Sequence, residues 1–234
     1  MRLSFLCFGI SAFCLISTHV VADQTPIAAN PGAEPDLIPG LSGNPNGNVL
    51  DTLYGPGNYA RVDDSLDQIW LNVGGSAEAR AAFAGTATDL YYSSSSNPGI
   101  FVLRVSPYGY INGAWTALPG SSGENFSWMI HSDNGAQFSS VQTSNAGEDH
   151  MVAFQITGDT GVPGNRIGDY VICWEDLWFS GSDRDYNDVV IEVSGVAVPE
   201  PSTISLFVLA TVAAVFSRGK RIGQDSTPCS VLCR

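Results

Sequence analysis

The sequence predicts an all-β fold: one antiparallel β-sandwich, jelly-roll-like, with a single short helix, between an N-terminal signal helix and a C-terminal transmembrane helix. Three observations carry this. Between residues 51 and 196, short runs rich in Val, Ile, Phe, Tyr and Trp recur, separated by clusters of Gly, Pro, Ser and Asn. Strand-like and helix-like segments do not alternate, which argues against a parallel βα sheet. Apolar runs of a different character stand near both ends.

Met1 and Arg2 open the chain, an apolar run follows from Leu3 to Ile16, and Val20-Val21-Ala22 stand before Asp23. A short positive start, an apolar core and small residues ahead of a cut describe a secretory signal peptide over 1–22. Residues 23–50, with stretches such as GLSGNPNGN, show no period and read as an irregular linker. The sandwich is expected over 51–196. Its strands are expected at Ile69–Val73, Thr88–Tyr92, Ile100–Val105, Phe126–Ile130, Phe138–Thr143, Val152–Ile156, Tyr170–Trp174 and Val189–Val193. Alternation is plain in Phe126, Trp128, Ile130 and in Val152, Phe154, Ile156. Only Ser76–Ala84, SAEARAAFA, has helix-favouring composition, and it is the expected short helix.

Charge and cysteine usage narrow the function. From Asp23 to Pro201 there are 22 Asp plus Glu against 5 Arg, a net −17, and the only lysine of the chain is Lys220. Such a surface repels nucleic acid and attracts cations. Phosphate loops and Schiff-base chemistry that need a lysine are excluded from the domain. Cys7 and Cys14 fall in the signal peptide, and Cys229 and Cys233 fall in the tail. The domain keeps Cys173 alone, so no disulfide framework supports it, and this residue reads as a small buried hydrophobe.

The chain is organised around GDYVICWEDLWFSGSDRDYNDVVIEV, residues 168–193. Two strand-like runs flank a connection holding Glu175, Asp176, Asp183, Asp185, Asn187 and Asp188: five carboxylates and an amide within fourteen residues. Like charges at that density repel unless a cation sits among them, and hard oxygen ligands suit calcium. Asp183-x-Asp185-x-Asn187 copies the first half of an EF-hand loop, but Asp188 replaces its turn glycine and Ser194 its bidentate glutamate, so an EF-hand is rejected. If the segment is already entering a strand, Asp183, Asp185 and Asn187 share one face, met by Glu175 and Asp176 from the facing strand end. The alternative is a solvated acidic turn in which Arg184 offsets one charge.

The pattern WEDL…GSDRDYNDVVIEV, preceded by Asp149-His150-Met151-Val152-Ala153-Phe154, resembles the exported domain of unknown function 4114, closely over 148–193 and more loosely over 66–90. Trp174 stands where that family usually has phenylalanine. The resemblance implies a secreted β-rich module, often associated with calcium, with no established catalytic activity.

Beyond the domain, Val198-Pro199-Glu200-Pro201 leads into the apolar Ile204–Phe216 and then Arg218, Lys220 and Arg221. This order resembles the PEP-CTERM sorting signal over 197–221, which implies an exosortase-type processing enzyme as partner and a transient membrane anchor through the C-terminal helix. The prolines prevent helix from extending upstream, and the basic cluster holds its end on the cytoplasmic side. Thirteen residues of helix reach about 20 Å, so flanking residues must enter the membrane or the bilayer must thin. Residues 222–234 form a tail to which no role is assigned.

Of the tryptophans, Trp128 and Trp174 fall in phase with apolar strand neighbours and are expected in the core, leaving Trp115 and Trp178 in loops as candidates for stacking on sugar. After export only His131 and His150 remain, and no Gly-x-Ser-x-Gly or His-Glu-x-x-His pattern appears. Asp149 and His150 are adjacent and would point to opposite faces of a strand, with His150 partly exposed. The expectation is therefore a non-catalytic, exported cell-envelope or extracellular-matrix protein, associated with exopolysaccharide and stabilised by calcium. A carbohydrate-binding or adhesion module is the alternative, and an exported hydrolase a more distant one.

Overall fold

Period-two burial defines the strands. In Asn125–Ser132, for example, Phe126, Trp128, Ile130 and Ser132 point inward while the residues between them face out. The structure, a computed structural model, describes residues 35–38, 48–158 and 167–199. The signal peptide, most of the linker, Glu200 and Pro201, the apolar segment, Arg218, Lys220, Arg221 and the tail lie outside the described residues. Among the described residues no helix is long and apolar enough to cross a membrane.

Among the described residues, one short α-helix, α1 (Val49–Tyr54), precedes eleven strands: β1 (Tyr59–Arg61), β2 (Trp70–Ala82), β3 (Thr88–Ser94), β4 (Ile100–Val105), β5 (Gly109–Tyr110), β6 (Thr116–Ala117), β7 (Asn125–Ser132), β8 (Gln137–Ser139), β9 (Met151–Ile156), β10 (Tyr170–Trp174) and β11 (Val189–Ala197). The pairings between these strands are antiparallel, in the order β1-β9-β10-β11-β2-β7-β3-β4, with β5 and β6 on β2 and β8 on β7. The fold is therefore all-β and sandwich-like, as expected. Strand β2 bridges its two layers: Trp70 and Leu71 pair with β7, and from Leu71 to Ala81 the strand runs along β11.

The layers enclose one core. Met151, Ala153, Ile172, Trp174, Val189, Ile191 and Val193 face Leu90, Tyr92, Leu103, Phe126, Trp128 and Ile130. A second core lies on the outer face of the β9-β10-β11-β2 layer. There Val152, Phe154, Val171, Cys173 and Val190 are covered by Leu37, Val49, Leu50, Leu53 and Tyr54. The lead-in expected to be an irregular linker thus supplies part of the fold: α1 is capped by Asn48, whose side chain accepts from Asp51 N, and its apolar face closes over the sheet. Cys173 is a free, buried thiol in this second core, as predicted.

The expected helix at Ser76–Ala84 is corrected. Its residues through Ala82 form the second half of β2, flanked by β11 on one side and by β5 and β6 on the other. Alanine favours helix weakly, but here two strands claim the backbone hydrogen bonds, and a small side chain fits a strand buried on both faces. Phe138–Thr143 is also shorter than expected as a strand: β8 stops at Ser139, and Gln142–Asn145 turn in a 3₁₀ helix.

Candidate metal centre

The register Trp174↔Val189 makes residues 175–188 the connection of the β10–β11 hairpin. Its backbone is tied down at both ends. Glu175 N donates to His150 O (3.0 Å), and the carbonyl of Asp188 accepts from Phe83 N (3.2 Å) and Ala84 N (3.3 Å). The expected continuation of the strand through Asp183 is corrected. Arg184 and Tyr186 have positive φ, 62° and 59°, and β11 begins only at Val189. The left-handed turns at alternate residues, rather than strand pleat, shape the stretch that carries Asp183, Asp185 and Asn187.

Glu175, Asp183 and Asp185 come together, with one carboxylate oxygen from each lying within 4.8 Å of the others. Two oxygens bound to one calcium ion at 2.3–2.6 Å stand at most about 5 Å apart, so the trio matches that span. Glu175 and Asp185 are buried and Asp183 is exposed, leaving one open side. Glu175 Oε2 is buried with no hydrogen-bond partner, an anionic oxygen of the kind that a cation satisfies. These residues fit a hard divalent cation.

Asp176 and Asp188 form a second tier beside the trio. Asp176 N donates to Asp188 Oδ2 (2.7 Å), and the Ser132 hydroxyl donates to Asp176 Oδ2 (2.9 Å). Burial, then the charges of Glu175 and Asp176, push the Asp188 carboxyl up to about 10. Burial likewise raises Glu175 and Asp176 above the ordinary carboxylate range. Without a cation, then, these neighbouring carboxyls resist ionising together, and burial with mutual repulsion is the cause. The Asn187 side-chain nitrogen donates to Pro35 O (2.7 Å) and to Asp185 Oδ2, tying the loop to the lead-in segment and steering the Asp185 carboxylate, while its Oδ1 is buried without a hydrogen-bond partner.

Arg184 turns its guanidinium onto the Phe179 ring (4.5 Å) and carbonyl (3.4 Å). Among the described residues, no arginine or histidine forms an ion pair with Glu175, Asp176, Asp183 or Asp188. The expectation of a partly exposed His150 is corrected: it is fully buried, stacked on Phe138 at 3.6 Å, with Nε2 3.1 Å from Glu148. Burial lowers its pKa. Its supporting role, like that of Ser132, left no mark in the sequence because the partners are 25 and 44 residues away.

The two candidate sugar-stacking residues are not brought together. Trp178 is 48% exposed, in the connection itself, its ring edge-on to Phe138 (5.0 Å) and His150 (5.7 Å). Trp115 is half-buried just before β6, whose Thr116 pairs with Ala77 and, through it, lies level with Val193. That is five residues along β11 from Asp188, roughly 17 Å at strand rise. Val198 is half-buried against the main core and Pro199 is exposed.

Fold and site together define a class: an antiparallel, sandwich-like β protein whose longest hairpin connection gathers carboxylates at one end of the sheet. Residues 112–196 match the family described as Domain of unknown function (DUF4114), a span that runs from just before β6 nearly to the end of β11 and contains the whole acidic connection. No curated protein matches the chain, and no solved structure matches it.

Proposed function

We propose that the chain is an exported, non-catalytic protein of the cell envelope or extracellular matrix, associated with exopolysaccharide, whose β-sandwich is stiffened by calcium. Glu175, Asp183 and Asp185 would bind the ion, with the Asp176 and Asp188 carboxyls beside them adding negative charge. The observation that carries this reading is the convergence of the Glu175, Asp183 and Asp185 carboxylates, together with a buried Glu175 Oε2 that has no hydrogen-bond partner. The signal-like residues 1–22 support export. Val198-Pro199-Glu200-Pro201, the apolar run and Arg218, Lys220 and Arg221 support delivery through an exosortase-type enzyme and a transient anchor.

Calcium sites in extracellular modules have Kd values of about 10⁻⁴ to 10⁻³ M, and a tenfold excess over Kd stabilises folding by about 1.4 kcal/mol. For a domain of this size that is an upward Tm shift of about 3–6 °C. Melting the purified chain in calcium and in chelator should show the shift, and Asp183→Ala with Asp185→Ala should remove it. Equal melting points in both conditions would sink the reading.

A second reading, a glycan-binding module, is favoured by the exposure of Trp178 on a ring fixed by Phe138 and His150. Glycan-array binding that disappears in Trp178→Ala, with calcium stabilisation intact, would select it over the first.

A further inference from the structure

The outer face of the β9-β10-β11-β2 layer is only half covered. Toward the acidic end, α1 and Leu37 close over it. Toward the other end, Leu71 and Val73 share the strand face opposite Trp70, Leu71 half-buried and Val73 51% exposed, and Ile69, in the bend just before β2, is 42% exposed. Leu71 pairs on one flank with Ala197, the last residue of β11, and on the other with Asn125 at the start of β7. Beside the stripe, a cleft of about 260 Å³ is lined by Ile69, Ser93, Ser94, Ser95, Asn125, Phe126 and Ser127, without a charged group.

Charge is unevenly placed along this layer. Neither Trp70–Ala77 nor Val193–Pro199 holds an ionisable side chain, in a region of net charge −17. Of the carboxylates that flank it in sequence or pairing, Asp63 accepts from Ser65, Asp64 pairs with Arg61 (2.8 Å), Asp67 is buried, and Glu124 is held by Tyr92 and Ser94 hydroxyls. The crowded acidic end, at Asp188, lies nine residues up β11 from Ala197, roughly 30 Å away.

The apolar run Ile204–Phe216 begins seven residues past Ala197, a tether of at most about 24 Å. We propose that, while the chain is anchored by that run, the Ile69-Leu71-Val73 stripe rests on the lipid surface and the acidic cluster faces away from it. The inference rests on reading the C-terminal segment as a membrane anchor. The short tether makes docking intramolecular, so a small apolar contact suffices to orient the domain. It also separates the acidic end from lipid headgroups by more than a Debye length at physiological salt.

The test uses the full chain in phosphatidylcholine vesicles, with a photo-crosslinking amino acid in place of Val73 or, separately, of Leu177 at the acidic end. Both positions are exposed, so both variants should fold. The expected result is flotation of both with the vesicles, lipid adducts at position 73, and loss of those adducts at 177. Flotation without lipid adducts at 73, or with adducts to a second copy of the chain instead, overturns the inference and leaves the anchor standing. Failure to float overturns the anchor and the inference together.

Discussion

Asn187 shows how one side chain can serve a site through its nitrogen, by holding a neighbouring carboxylate in place. Fully buried, it holds Pro35 O and Asp185 with the same amide. Asn187→Leu leaves both acceptors without that donor. It should cost about 1–3 kcal/mol, measured as a lower urea midpoint in chelator. It should also weaken the calcium-induced shift, because Asp185 loses its guide. Glu192 makes a separate prediction. It is buried opposite Glu78, accepts from the Tyr54 hydroxyl (3.1 Å), and lies 3.5 Å from Arg80. Burial outweighs the arginine and raises its pKa from 4.5 to about 7. A carboxyl with a raised folded pKa contributes stability that is full below its unfolded pKa and is lost as pH rises through the folded one. Between pH 4.5 and 7 the protein should therefore lose up to about 3 kcal/mol from this group. Glu192→Gln should lack that part of the slope in chemical denaturation at a series of pH values; parallel curves for both proteins would refute the assignment.

At the scale of elements, α1 is the one whose importance its sequence understated. Six residues are too few to be a stable helix alone, so α1 exists because Val49, Leu50, Leu53 and Tyr54 are buried on the sheet. Leu50→Ala should cost about 2–5 kcal/mol, read from the shift in denaturant midpoint. Strand β2 is constrained differently. Near Gly74 and Gly195 it runs so close to β11 that a Cβ on Gly195, at φ 61°, would meet Gly74 O at 2.8 Å. Gly195→Ala combines a clash with a left-handed backbone and should lower Tm measurably, whereas Gly135→Ala, with open space around it, meets only the backbone cost and should lower it less.

For the whole molecule, the acidic cluster couples stability to pH and cation together. In chelator, the raised carboxyls of Glu175, Asp176 and Asp188 reduce stability as pH climbs above about 4 and continue to do so toward the Asp188 value of about 10. Calcium takes the place of the protons, so its stabilising effect should grow with pH. Melting curves at pH 5 and pH 8, each with calcium and with chelator, should show the larger shift at pH 8. A shift that shrank with rising pH would contradict the assignment of these groups as ligands.

The all-β class was legible because apolar alternation and turn residues are local signals. The expected strands Ile100–Val105 and Tyr170–Trp174 coincide with β4 and β10. The acidic connection was legible because its carboxylates lie within fourteen residues, and the burial of Trp128 and Cys173 follows from strand phase. Other features were decided at long range. Strand β2 takes alanines that favour helix because β11 and its other neighbours claim their backbone groups. Leu37 and α1 join the core because a sheet face far along the chain, at Val152, Phe154, Val171, Cys173 and Val190, needs a cover. Which carboxylates meet depends on the turns at Arg184 and Tyr186 and on the amide of Asn187, bonded to Pro35 across 152 residues. Periodicity and composition record what a residue prefers near its chain neighbours; only the folded packing supplies the partners that overrule those preferences.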